Sequence, residues 1–175
     1  MHTAYIGLGS NLDSVEGSPA ETVVAALHAL DGCGEVIHCS SLYKTAPVGF
    51  AGQPSFVNAV AAVRTAGSPE KLLEELLEIE RHFGRVRESS TPKGPRTLDL
   101  DLLLMDGLMV NTPSLTLPHP ELAERRFVLA PLVEIAPELM HPQLGKTMRE
   151  LLQALPDAGE NNMAGVHLLR RRSVE

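Results

Sequence analysis

GRVRESSTPKGPRTLDLDLLLMD, residues 84–106, joins a cationic loop to a strand-forming run. Side chains along a strand alternate with period two, so Asp99 and Asp101 share one face while Leu98, Leu100 and Leu102 share the other. The apolar run Leu102, Leu103, Leu104 and Met105 marks the strand as buried and central, where carboxylates are costly unless they have a task. Two carboxylates one strand step apart can bracket one or two hard divalent cations. Arg85, Arg87, Lys93 and Arg96 on the loop cannot serve a metal, but they can hold the phosphates that a magnesium ion would bridge. Metal carboxylates and phosphate-binding cations in one segment point to phosphoryl or pyrophosphoryl transfer.

The rest of the chain sets the frame. Its 175 residues are 43% hydrophobic and 21% charged, enough for one domain with a sizeable core. A net charge of -7 argues against broad nucleic-acid binding, so any polyanion must be drawn by a local reversal of charge such as residues 85–96. Cys33 and Cys39 alone make neither a disulfide framework nor a four-cysteine zinc site. With no apolar run of membrane-spanning length and no signal-peptide pattern at MHTAYIGLGSN, a soluble cytoplasmic protein is expected.

Residues 3–9 (TAYIGLG) read as a first strand, and Gly7-Leu8-Gly9 lacks the third glycine of a dinucleotide loop. Ser18-Pro19-Ala20-Glu21 is a capping box that opens a helix to about Asp31. Residues 35–47 favour one long strand, expected to pair antiparallel with a strand from Phe56 to Thr65. Ser68-Pro69 opens a second helix with Leu72, Leu73, Leu76, Leu77 and Ile79 as its apolar stripe. Glu80 sits near that helix's end, where a carboxylate opposes the dipole, and this misfit suggests a partner among the arginines that follow. After Asp106-Gly107, LMVN reads as a short returning strand, and residues 112–127 as mostly loop. FVLAPLVEIAPEL reads as a buried helix despite Pro131, Thr147 starts a last helix, and VHLLRRR in the polar tail from 156 suits an edge strand.

The order β-α-β-β-α-β is the split βαβ pattern of ferredoxin-like folds. The expected class is α+β, with a mostly antiparallel sheet. C-terminal helices on its second face would make three layers, α/β/α, in a single domain over residues 1–175. RNA-binding domains share this topology, but they display aromatics on their central strands within a basic surround; here Leu-Asp alternation and an acidic chain stand instead. A metal-dependent phosphohydrolase using the same aspartates stays open.

GPRTLDLDLLL (94–104) resembles the signature of the 6-hydroxymethyl-7,8-dihydropterin pyrophosphokinases of folate biosynthesis. AYIGLGSN, SSLYKTAPVG (40–49), QPSFVNAV (53–60), GRVR (84–87) and LPHPELAERRFVLAPLVEIAPEL (117–139) resemble further marks of that family, in order. The resemblance implies transfer of the β,γ-pyrophosphoryl group of ATP to the hydroxymethyl oxygen of the reduced pterin, with release of AMP. It implies Asp99 and Asp101 as ligands of two Mg²⁺ ions, and Arg85 and Arg96 as catalytic arginines on the phosphates. Arg87, His119 and Arg125 match further nucleotide contacts, with Leu77, Glu80, Leu102 and Thr116 on the adenosine side. Phe56 and Phe127 match two rings that sandwich the pterin, a flat heterocycle whose edge Asn58 can read with one donor and one acceptor group. Gly9, Thr45, Ala46 and Val48 match the remaining wall. Lys93 stands where some members carry a tryptophan, in a loop whose composition suits a mobile lid. No general base stands out: Asp101 and a magnesium-activated hydroxyl are both open. A monomer is expected.

Overall fold

A computed structural model describes residues 1–45, 54–85, 96–156 and 167–170. The main sheet contains β1 (His2–Ser10), β2 (Glu35–Cys39), β3 (Leu42–Thr45), β4 (Phe56–Thr65), β5 (Asp99–Met105) and β8 (His167–Arg170). Its order is β5-β1-β4-β3-β8, with β2 also on β4, and the pairings are antiparallel. A separate two-stranded ribbon pairs β6 (Val110–Asn111) with β7 (Thr116–Leu117). The helices are α1 (Pro19–Ala29), α2 (Pro69–His82), α3 (Arg126–Ile135) and α4 (Met148–Ala154).

Local chemistry sets the helix ends. Ser18 Oγ accepts from Glu21 N at 3.3 Å while Glu21 Oε2 accepts from Ser18 N at 2.8 Å, the capping box expected for α1. Thr147 and Glu150 form the same box on α4, at 3.1 and 2.9 Å. Gly84, at φ +85°, closes α2: its N–H reaches Arg81 O at 3.0 Å and Arg85 N–H reaches Glu80 O at 3.1 Å. This left-handed reversal, which glycine adopts without strain, turns Arg85 back under the helix end.

The sheet separates two apolar layers. On one face Ile6, Leu8, Ala59, Leu98, Leu100 and Leu102 pack against Val23 and Leu27 of α1 and Leu72 and Leu76 of α2. On the other, Val60, Leu103 and Leu104 pack against Val128, Leu129 and Leu132 of α3 and Met148 and Leu151 of α4. The result is the three-layer α/β/α arrangement of the expected ferredoxin-like class. Burying each of these leucines contributes about 2 kcal/mol. A register shift on β5 lets Ile6 pair with Leu102 and Tyr5 with Leu104, so Leu103 and Leu104 both reach the α3/α4 layer.

Three expectations are corrected. First, β5 is not central: it is an edge of the sheet, and its burial comes from helices on both faces. Its outward backbone groups are occupied by Arg85 Nη1 on Leu98 O (3.1 Å), Glu80 Oε1 on Leu100 N (2.8 Å) and His119 N on Leu103 O (2.8 Å). Second, the long strand from residue 35 breaks at Ser40 and Ser41, and both pieces lie along β4. Ser40 bridges the gap through Val60, its N–H on Val60 O at 2.8 Å and its Oγ under Val60 N at 2.9 Å. The carboxylate of Glu134 on α3 accepts from Ser41 N at 3.1 Å, and from Ser41 Oγ and Tyr43 Oη at 2.6 Å each. Third, LMVN does not return along β5; Val110 pairs with Leu117 in the ribbon. The tail strand is as expected, Lys44 pairing with His167. Among the described residues, no helix is long and apolar enough to cross a membrane.

Candidate active site

The pleat that buries Leu8, Ala59 and Leu100 on one face puts Gly9, Asn58 and Asp99 on the other, and Gly7 and Asp101 with them. At this end of the sheet α3 stands off, leaving a cavity of about 220 Å³. Gly7, Gly9, Thr45, Phe56, Asn58, Arg96, Asp99, Asp101, Arg125 and Phe127 all line it. Residues distant in sequence, assembled from five elements, thus converge on one hollow of mixed apolar and charged walls.

Its floor is electrostatically uneven. Asp99, 21% exposed, is bonded by Arg85 Nη1 on one oxygen and by Arg96 Nη1 on the other at 3.1 Å. The Arg85 side chain is only 9% exposed and lies 3.5 Å from Glu80 Oε1, a carboxylate 2% exposed. The partner anticipated for Glu80 among the following arginines is therefore Arg85. Such buried charges are tolerable only as a set, since removing one partner of a buried pair costs about 3–5 kcal/mol. Among the described residues, Arg85 Nε and Thr97 Oγ1 are buried without a hydrogen-bond partner.

Asp101 is placed differently. Its nearest cation among the described residues, Arg125 Nη1, is 4.0 Å away, and Arg125 also pairs with Glu121. Burial, and then the charge of Asp99, push the Asp101 carboxyl up to about 7, and Arg125 only partly opposes them. Among the described residues, the positive charge at Asp101 is thus incomplete. Two hard oxygen donors on one face of a strand, one of them short of a cation, fit a divalent ion that takes its other ligands from phosphate and water. Among the described residues, no three His, Cys, Asp or Glu side chains cluster as a complete metal cage.

Each aromatic ring has a guanidinium over it: Arg96 Cζ is 5.6 Å from the Phe56 centroid, and Arg125 Cζ is 5.6 Å from that of Phe127. Arg96 is fixed at its backbone by Asn11, whose Oδ1 accepts from Arg96 N at 2.8 Å. Asn58 Nδ2 donates to Thr45 Oγ1 at 2.7 Å. His119 lies half-buried beside the cavity; its Nδ1 accepts from Glu121 N at 3.2 Å, which leaves the proton on Nε2. Burial and the neighbouring Arg125 lower its pKa, so the ring is neutral at pH 7.

Other sequence candidates fall elsewhere. Leu102 is buried in the α1/α2 layer, Glu80 lies behind β5, Leu77 is half-buried on α2 and Thr116 is exposed on the ribbon. Ala46, Val48, Arg87 and Lys93 lie outside the described residues. The structure adds Glu121 and Glu124 to the cavity wall. The four-residue spacing from Glu121 to Arg125 was a legible hint of their pairing.

Comparison with known proteins bears on the family. A sequence model of the 7,8-dihydro-6-hydroxymethylpterin-pyrophosphokinase (HPPK) family matches residues 5–137. The 2-amino-4-hydroxy-6-hydroxymethyldihydropteridine pyrophosphokinase of Pseudomonas aeruginosa is 43% identical over 167 residues, 94% of this chain and 99% of the relative. Its namesake in Haemophilus influenzae is 43% identical over 159 residues, 90% of this chain and 95% of the relative. The folic acid synthesis protein fol1 of Schizosaccharomyces pombe is 39% identical over 157 residues, but the matched part is only 21% of that longer protein. Among solved structures, the Plasmodium falciparum HPPK-DHPS triple mutant superposes with a TM-score of 0.69 at 17% identity, over 87% of this chain and 44% of that one. That likeness speaks for the fold. With the family match covering β1 through α3 and the bacterial relatives aligned almost end to end, the chain belongs to the 6-hydroxymethyl-7,8-dihydropterin pyrophosphokinase family.

Proposed function

We propose that the cavity over Asp99 and Asp101 is where this chain transfers the pyrophosphoryl group of ATP to the hydroxymethyl group of 6-hydroxymethyl-7,8-dihydropterin, releasing AMP, in folate biosynthesis. The observation that carries the reading is the placement of Asp99 and Asp101, Arg96 and Arg125, and Phe56 and Phe127 around one hollow. Phosphate chemistry and an aromatic acceptor then meet within a single site.

The pterin ring lies by Phe56 and Phe127, with its edge at Asn58 and its wall completed by Gly9, Thr45, Ala46 and Val48. Three features support this. A flat apolar face suits aromatic walls, Asn58 offers both donor and acceptor, and a Cβ on Gly9 would come within 3.0 Å of Asn58 Oδ1. The ATP phosphates lie over β5, held by Arg85, Arg87, Arg96, His119 and Arg125, with adenosine toward Leu77 and Thr116 and with Glu80 and Leu102 beneath. His119 contributes as a neutral Nε2–H donor. Arg85 and Arg96 are the catalytic arginines: guanidinium groups preset beside the transferring group stabilise its charge without reorganisation.

Asp99 and Asp101 would hold magnesium, two ions being expected with the nucleotide. Magnesium supplies neutralisation of triphosphate charge and orientation of the reacting oxygens. We also propose a cytoplasmic monomer.

Incubating the protein with MgATP and the hydroxymethyl pterin, and separating nucleotides by chromatography, tests the reading. AMP must form, and only when pterin is present. ADP or phosphate released without pterin would instead assign Asp99 and Asp101 to a hydrolase.

A further inference from the structure

We infer that the Thr45 hydroxyl and the missing side chain of Gly9 together lock the Asn58 amide, making Thr45 a positioning residue that determines which heterocycle edge the site accepts. The inference rests on the pterin placement proposed above and extends it to a side chain that touches no reacting atom.

An asparagine amide has a carbonyl end and an amino end of nearly the same shape, and a binding site gains specificity from it only if something fixes which end points where. In this site two neighbours do so. Thr45 is diagonal to Asn58 across the β3–β4 pair, where Tyr43 faces Asn58 and Thr45 faces Phe56. Its Oγ1 accepts from Asn58 Nδ2 at 2.7 Å, with Thr45 only 4% and Asn58 only 7% exposed. On the other side, Gly9 faces Asn58 across β1–β4, and Asn58 Oδ1 lies 3.0 Å from where a Gly9 Cβ would stand.

A Thr hydroxyl could by itself satisfy either end of the amide, by accepting or by donating. The Gly9 side breaks that tie. The Cα–H that replaces a side chain there attracts a carbonyl oxygen and repels an amino group. With the oxygen held over Gly9 and one N–H spent on Thr45, the cavity is offered one N–H and the free lone pair of Oδ1, in a fixed order. That order complements a ring edge with an acceptor beside a donor, as in a cyclic amide, and rejects the reversed edge. Buried polar groups facing the wrong edge would be left unpaired, which is what gives such sites their discrimination.

Thr45→Val tests this, because it keeps shape and strand propensity while removing the acceptor. Pterin binding is followed by the ligand's own fluorescence and by steady-state kinetics, with melting curves as a check on folding. The expected result is a rise of about tenfold in Kd and KM for the pterin, with KM for ATP and saturated kcat unchanged and with recovery in Thr45→Ser. Thr45→Val binding pterin as wild type, while Asn58→Ala loses it, overturns the positioning role and leaves the pterin placement standing. If Asn58→Ala also binds as wild type, both fall together. Should Thr45→Val not fold, the unsubstituted protein decides: without substrate, the Asn58 Nδ2 proton bonded to Thr45 should exchange more slowly with water in ¹⁵N–¹H spectra than the one facing the cavity, and equally fast exchange of both overturns the lock.

Discussion

Over the same stretch of β1, β4 and β5, one face of the sheet carries Leu8, Ala59 and Leu100, each at most 2% exposed, and the other carries Gly9, Asn58 and Asp99. The two sets are offset by a single residue along each strand. On the α1/α2 side the physics is close packing, whose value lies in leaving no void. On the α3 side the layer is interrupted by the cavity, where charged side chains and open volume remain. The lesson is that a site need not be a separate module: it can be the alternate residues of the strands that build the core.

The sharpest way to break this comparison is to change one face without the other. Asp101→Asn keeps the shape of the charged face and removes one of the two carboxylates proposed to hold magnesium. Pterin-dependent AMP formation should fall about 10³-fold or more while the protein stays folded. Turnover within tenfold of wild type would remove Asp101 from the site. Leu100→Ala is the counterpart on the apolar face. It should cost about 2–5 kcal/mol in urea unfolding, with turnover per folded molecule near that of wild type. A large loss of kcat at full folding would mean the two faces are not separable.

The smallest effect expected is a gain. The Asp101 carboxyl is raised to about 7 in the folded protein, so the folded state holds a proton there that the unfolded chain has already lost. Stability from this group is therefore lost as pH rises from about 4 toward 7, and it is not regained above. In magnesium-free buffer with EDTA, Asp101→Asn should melt higher than wild type at pH 8, and the difference should shrink as pH falls to 4. An equal or lower melting temperature at pH 8 would show that Arg125 already balances the charge.

Much of this is legible in the sequence alone. β4 is legible in its own apolar run, and the starts of α1 and α4 in the Ser18 capping box and in Thr147. Most of the cavity wall was also legible, because it lies in local motifs. Long-range decisions were not. EVIHCSSLYKT reads as unbroken strand, and only Glu134 reaching across from α3 shows why it divides at Ser41. The extra residue at Leu103 leaves no local mark, and strand order is not a property of the strand itself. The hydrophobicity of β5 was correctly read as burial but wrongly as centrality, because helices on both faces bury an edge strand as well as neighbours do. Glu121 and Glu124 lie in the stretch read as mostly loop, and the turn at His119 brings them to the cavity.

An edge strand as apolar as LDLDLLLM would ordinarily be a template for other chains to dock on. Here Arg85, Glu80 and the backbone of His119 occupy its outward groups, and the first two also carry the charge beneath Asp99. Catalytic readiness and colloidal safety are thus written into the same atoms. A lesion at Glu80 would threaten both, so loss of activity and precipitation should arise together in such variants.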